Sequence, residues 1–499
     1  MGRARLRRTA HAALVSLLAA GAATQDDPRA ALSARGRELM AAGRYAEAVP
    51  VYQELAAALP ASPGVQLNLG MALHLSGASQ AAVAPLAAAF KSEPTSYPAA
   101  LLLGAARLRT GASRAALAPL KAAVRLKPDE PEARSLLADA LVSQGRPAEA
   151  AAQLEALTRL STEDASAWLR LGRSYEALAG RAFETLLERG PESAFTLALV
   201  AEVRRDEGRP DAALELYRKA SARAPGMRGL HAAAAELERE AGRAERAAAE
   251  EAEEGRLPKP DCARHALECR FAEGKHREVV AAASGATTLA SAYWLARSSN
   301  ELARAAFARL EQLPSSAALH EWRADQLRGA GRYADAAAEW RRAAALAPRD
   351  ARLRRELAVT LRLNQDLAAA QAVLEELVGE HPDAAGASYL LGDVLVARQQ
   401  PEAAIPHLER ALRQDPSLAH AHAVLGRAYA LVGRGQEAVP HLEKALAVDE
   451  DGSLHLQLAR AYRAAGRSAD AERTLAQWER LRKARDEPGA PGARPLTPP

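Results

Sequence analysis

Residues 63–96 read PGVQLNLGMALHLSGASQAAVAPLAAAFKSEPTS, and residues 97–130 read YPAALLLGAARLRTGASRAALAPLKAAVRLKPDE. Laid one under the other they agree at Leu69 and Leu103, Gly70 and Gly104, Gly77 and Gly111, and Ala82 and Ala116. The agreement continues at Leu86 and Leu120, Ala89 and Ala123, and Pro94 and Pro128. The same 34-residue step reaches outward to Gly43 and Gly145, and recurs near the C-terminus at Ala336, Ala370, Ala404 and Ala438 and at Pro348, Pro382 and Pro416. A fixed period of this length marks stacked supersecondary repeats, none of which can bury its apolar face alone. Such a chain is built to present a long surface, not to enclose a reaction.

Each recurring position has a physical task. Small residues at the eighth and twentieth positions let two antiparallel helices approach closely, and large ones at the seventh, eleventh and twenty-fourth fill the space between them. Glycine at the fifteenth supplies the left-handed residue that ends the first helix. Proline near the thirty-second stops the second, because it lacks an N–H and clashes with the preceding turn. An Ala- and Leu-rich composition with only 4% aromatics supports helix throughout.

Several repeats share one register and resemble the tetratricopeptide repeat family. Clean matches begin near Arg29, Pro63, Tyr97, Ala194, Ala317, Ala351, Ala385, Ala419 and Gly452. The repeat from Pro131 keeps Gly145 and Ala150 but lacks the final proline; the one from Ala165 begins well, with Trp168, Gly172 and Tyr175, and is cut short around Gly180 to Pro191. The resemblance implies an all-α, right-handed superhelical α-solenoid of antiparallel helix pairs, whose first helices line a concave groove. The expected organisation is a signal peptide at 1–24 and an N-terminal array at 29–243, with a shortened repeat near 179–193. An irregular helical segment follows at 244–316, then a C-terminal array at 317–484 and a disordered Pro/Gly-rich tail at 485–499.

The leader reading rests on Arg3, Arg5, Arg7 and Arg8, an apolar run from Ala12 to Ala20, and the small-residue site Ala20-Gly21-Ala22. That run is too short to span a bilayer. Export to the periplasm or beyond is therefore expected, with no membrane span after cleavage. Removing four arginines from a chain of formal net charge +4 leaves it near neutral, which takes away the main support for nucleic-acid binding.

Candidate chemistry is sparse. His231, His320, His422 and His455 all fall at the fourth position of their repeats, and His407 and His441 at the twenty-third, which reads as packing between helices. On one continuous helix Cys262 and Cys269 would lie two turns apart, beyond disulfide reach, so unpaired thiols are expected. A bond across a helix bend is the alternative in an oxidising compartment. No cofactor, haem or zinc pattern occurs, and neither does a GxSxG, HExxH, Walker or dinucleotide motif, so no enzyme activity is expected.

In the family, the second, fifth, ninth, twelfth and thirteenth positions of each first helix face the groove. Carried onto the C-terminal array, these slots hold Arg352, Arg355, Arg362, Tyr389, Asp393, His420, Arg427, Arg460 and Arg463. Six arginines on one surface suit carboxylates, which a guanidinium binds in a bidentate fork. The preceding repeat adds Glu321, Asp325 and Arg328, making that end mixed in charge. The expected role is a non-catalytic interaction scaffold of the bacterial cell envelope that takes a protein or peptide partner, an acidic one if these arginines make the contact. An accessory role in polysaccharide or surface-polymer export is the alternative. The sequence leaves the oligomeric state open.

Overall fold

A computed structural model describes residues 28–486 apart from 286 and 450. The leader reading at 1–24 and residues 487–499 of the expected tail lie outside the described residues, whereas Arg485 and Asp486, expected in that tail, end the last helix. Among the described residues there are 26 α-helices and no strand, so the chain is all-α. Its contacts divide it into two units between Leu310 and Glu311.

The first unit opens with four helix pairs. They are α1 (Pro28–Ala41) with α2 (Tyr45–Ala58), α3 (Pro63–Leu75) with α4 (Ser79–Ser92), α5 (Tyr97–Arg109) with α6 (Ser113–Leu126), and α7 (Pro131–Ser143) with α8 (Pro147–Leu160). The long helix α9 (Ala165–Arg189) follows. Three further pairs come next: α10 (Ala194–Asp206) with α11 (Pro210–Arg223), α12 (Leu230–Glu240) with α13 (Ala244–Arg256), and the short α14 (Ala266–Ala272) with α15 (His276–Ala283). A second long helix, α16 (Leu289–Glu311), closes the unit.

The second unit is a regular stack of α17 (Ala317–Gly329), α18 (Tyr333–Leu346), α19 (Ala351–Leu363), α20 (Leu367–Glu380) and α21 (Ala385–Ala397). It continues with α22 (Pro401–Gln414), α23 (Ala419–Leu431), α24 (Gly435–Ala445), α25 (Ser453–Ala464) and α26 (Ser468–Asp486). One core runs through this stack from Ala324 to Ala471, around Trp340, Leu374, Leu408 and Leu442.

The repeat positions behave as their chemistry requires. Gly77 and Gly111 sit at φ 98° and 77°, in the left-handed region, where the turn after each first helix needs them. In the second unit Gln365 and Gln399 occupy the same slot at φ 61°. Asp366 N–H donates back to Leu361 and Gln365 N–H to Arg362, closing the reverse-turn cap without glycine. A Cβ at Gly392 would overlap Leu408, which is fully buried, and Gly426 meets Leu442 in the same way. The small-residue slot thus fixes how closely each pair packs.

One repeat is split. At the fifteenth slot of the repeat from Ala165 stands Ala179, not glycine, so α9 runs on for 25 residues instead of turning. Gly172 therefore meets no leucine from a following helix; a Cβ there would overlap the ring of Phe307 on α16. Gly190, at the other end of α9, lies against Leu289. These two contacts set α9 and α16 antiparallel along their length. Ala303, Phe307 and Leu310 of α16 are buried with the spacing of Ala404, Leu408 and Ala411. The second half of α16 is thus the second helix of the repeat that α9 begins, and the pairs α10 to α15 are inserted between them.

Candidate functional site

The first helices of the second unit carry the slots expected to face a groove, and a line of charges joins three of them. Asp393 on α21 is buried and pairs with Arg362 from α19 and, at 3.3 Å, with Arg427 from α23. These three residues therefore share one surface across consecutive repeats. Tyr389, one turn before Asp393, is half-buried beside them. Burial and the Asp393 charge push its phenol pKa up, against the pull of the Arg362 and Arg427 guanidinium groups.

Other expected site residues are engaged nearby. Arg352 makes a bidentate pair with the buried Glu321, at 2.6 and 2.7 Å. That hydrogen-bonded pairing raises the arginine's pKa further, against the cost of burial. Arg355 contacts Glu356 at 3.3 Å, and Arg328 bridges Asp325 and Glu356 at 2.7 and 2.9 Å. His420, Arg460 and Arg463 are exposed and have no ion-pair partner among the described residues. The surface is therefore graded, internally neutralised around α17 to α21 and openly basic at α23 and α25.

The sequence reading passed over a second surface, in the first unit. First helices α3, α5 and α7 line an open depression of about 430 Å³ that includes His74, Leu108, Arg109, Leu136, Asp139 and Ser143, among others. His74 is buried and bonded to Ser79 Oγ at 3.1 Å, and burial, helped by Arg109, pushes its pKa down to about 4. Asp139 is tied to Arg170 at 2.6 Å. Its signal in sequence was a groove-slot run of mostly apolar and small residues with two acids, Glu132 and Asp139, beside His74 and Arg109, weaker than a row of arginines.

The fourth-position histidines do more than fill space. His231 bonds Glu250 at 2.7 Å, His320 bonds Glu339 at 2.5 Å, and His422 bonds His441 at 2.8 Å through their Nδ1 atoms. His455 bonds Asp449. In the first three, the fourth position of one helix reaches the twenty-third of its partner, a polar pin repeated along the stack.

The unpaired-thiol expectation is corrected: Cys262 and Cys269 form a disulfide, with Cα atoms 5.7 Å apart. The reason is that α14 begins only at Ala266, so Cys262 lies in the preceding turn. There Asp261 accepts from Ala263 N–H at 3.0 Å, and its carbonyl from His265 N–H at 2.7 Å, which folds the chain back. Two turns of unbroken helix would hold the Cα atoms about 10 Å apart.

Among the described residues no group of three or more His, Cys, Asp or Glu side chains is placed to hold a metal ion, and no helix is long and apolar enough to cross a membrane. A family model described as Tetratricopeptide repeat matches residues 33–97, 323–385, 364–419 and 389–453, and a second of the same description matches 107–175. Together they cover more than half of the chain. Among solved structures, MamA 41-end from Desulfovibrio magneticus RS-1 is 22% identical over 34% of this chain and 97% of that one, with a TM-score of 0.32. A thermophilic TPR protein of Thermus thermophilus, TTC0263, is 26% identical over 33% of this chain and 91% of that one, with a TM-score of 0.29. No curated protein matches.

Proposed function

Since this chain belongs to the tetratricopeptide repeat family, whose arrays are in general non-catalytic scaffolds for protein partners, we propose that it recognises an acidic segment of a protein partner on the first-helix surface of its second unit. The observation that carries this reading is the graded charge of that surface. Arg352, Arg362 and Arg427 are pinned by buried carboxylates, whereas His420, Arg460 and Arg463 stand exposed without a partner among the described residues. Pinned arginines lose little side-chain freedom when a ligand arrives, and free ones supply the charge that draws it.

The reading places the protein in a bacterial cell envelope, after export. The Cys262–Cys269 disulfide supports this, because such bonds persist in oxidising compartments. The mass of the chain recovered from an envelope fraction tests it, since a cleaved leader removes the residues up to about the Ala20-Gly21-Ala22 site.

The binding test is capture from envelope extract by the full chain and by a variant carrying Arg460→Glu and Arg463→Glu, at matched helicity. It is followed by titration of an Asp/Glu-rich peptide against each. A loss of at least tenfold in peptide affinity in the variant, with a shallower salt dependence, supports the reading. Equal affinity for both proteins overturns it. Retention of the captured material after proteolysis of the bound fraction, and its loss on glycan digestion, would transfer the surface to an anionic polymer.

A further inference from the structure

The first half of α16 is enclosed. From Ser291 to Asn300 every residue except Arg297 is buried, so the helix is covered all round and not along a single stripe. Yet it is not built like a core helix. Ser291, Ser298, Ser299 and Asn300 lie among the covered residues, and the hydroxyls of Ser298 and Ser299 have no hydrogen-bond partner among the described residues.

What covers it is the set of slots that face the groove in this family. On α10, Phe195 at the second slot lies 5.2 Å from the Tyr293 ring, Glu202 at the ninth pairs with Arg297 at 3.1 Å, and Asp206 at the thirteenth approaches Arg304 at 3.9 Å. On α14, counting back from the turn residue Gly274, Phe271 takes the twelfth slot, and its ring lies 5.1 Å from Trp294. The Arg297 guanidinium sits 4.7 Å over Phe271, 5.5 Å from Tyr293 and 5.8 Å from Trp294, closing an aromatic cage around one charge. Burial pushes the Glu202 carboxyl pKa up and Arg297 opposes it, so the pair is held in low dielectric.

We infer that the inserted helices α10 to α15 form a helix-binding site, separate from the surface of the second unit, which the chain fills with its own α16. Its ligand class is a helix presenting Tyr-Trp followed one turn later by Arg. Tyr293, Trp294 and Arg297 fall on one face of about 100°, and a buried ion pair with its aromatic cage fixes register more than it adds stability. The site is therefore selective for that pattern.

The test uses the full chain with Arg297→Glu, which sets two carboxylates against each other and displaces α16 from the site. Hydrogen exchange should rise at least tenfold in residues 194–206, 266–272 and 289–300, with residues 28–160 unchanged. A labelled peptide of residues 289–311 should bind this variant at least tenfold more tightly than the wild-type chain and restore protection on α10 and α14. The same peptide carrying Arg297→Glu should do neither. The double variant Glu202→Arg with Arg297→Glu should recover protection without peptide. If exchange rises across the whole first unit together and the peptide binds neither protein, α16 is an ordinary core helix and the inference falls. Unchanged exchange in Arg297→Glu also sinks it.

Discussion

Phe307 and Gly172 are far apart in sequence, and only the split repeat brings them together, so their energetic coupling tests it directly. Phe307 is buried, with 8% of its surface exposed, and Phe307→Ala should cost about 3–5 kcal/mol of local stability through lost burial and the cavity left behind. Gly172→Ala adds a methyl whose position lies 2.5 Å and 2.8 Å from two carbons of that ring. A ring edge cannot bend away as a flexible chain end does, so overpacking of about 1–3 kcal/mol is expected. The better helix propensity of alanine offsets about 1 kcal/mol of that. With the ring gone, the methyl enters empty space and only the propensity gain remains. The double variant should therefore be more stable than the sum of the singles by about 2 kcal/mol. The internal control is Gly392→Ala with Leu408→Ala, where the same contact lies inside an unsplit repeat. A two-unit chain does not melt in one step, so the readout is hydrogen exchange of residues 165–178 and 300–310. Additivity within about 0.5 kcal/mol at Gly172 and Phe307, beside coupling at the control pair, would refute the split repeat.

Replacing Gln365 or Gln399 by glycine should stabilise the second unit by about 0.5–1 kcal/mol each, since both hold φ 61° and left-handed backbone costs a non-glycine residue about 1–2 kcal/mol; slower hydrogen exchange in residues 351–414 of the single variants checks the sign. His74 has a folded-state pKa pushed down to about 4, so its neutral ring favours folding. That contribution is complete above the ordinary histidine pKa near 6.5 and is lost as pH falls from there to 4, by at most about 3 kcal/mol. A His74→Leu chain should show a smaller acid-side loss of exchange protection at α3 to α5, while α22 to α24, where His407, His422 and His441 shift in the same direction, should keep theirs. Reduction of Cys262–Cys269 should release about 2 kcal/mol of loop-closure stabilisation around residues 258–275; a mass gain of two hydrogens with unchanged exchange in that segment would contradict it.

The regular repeats were legible because every position carries a reason: Gly77 for the turn, Gly70 for the approach of Leu86, Pro94 for the stop. The second unit followed from the same arithmetic. The split repeat was not legible in that way, because a period search looks for the partner of Gly172 within the next 34 residues and finds Glu188 at that slot. The signal was present farther on, where Ala303, Phe307 and Leu310 repeat the spacing of Ala404, Leu408 and Ala411 without a first helix of their own. The expected irregular segment, 244–316, holds four helices, of which α13 pairs regularly with α12 and α16 is shared between two packings. The candidate surface was legible as a row of slots but not as a charge balance. Sequence spacing within one helix cannot show that Glu321 reaches Arg352 or that Asp393 reaches both Arg362 and Arg427 from neighbouring repeats.

Those cross-repeat pairs decide the polarity of anything bound along the second unit. A ligand carboxylate that sought Arg352 would have to displace a bidentate partner already buried and aligned, exchanging one pair for another at no net gain. At Arg460 and Arg463 it meets exposed guanidinium groups with nothing to displace. An acidic group therefore gains most at the α25 end. Toward α17, where Glu321 is fully engaged and Arg328 holds both Asp325 and Glu356, a neutral or mixed stretch fits better. An extended peptide with its acidic residues confined to one terminus should bind in a single direction, and moving that cluster to the other terminus should reverse the direction while keeping the affinity. A spin label or crosslinker on the acidic terminus that reaches α25 in both peptides satisfies this argument. One that follows the chain direction instead would mean that backbone contacts, not charge, orient the partner.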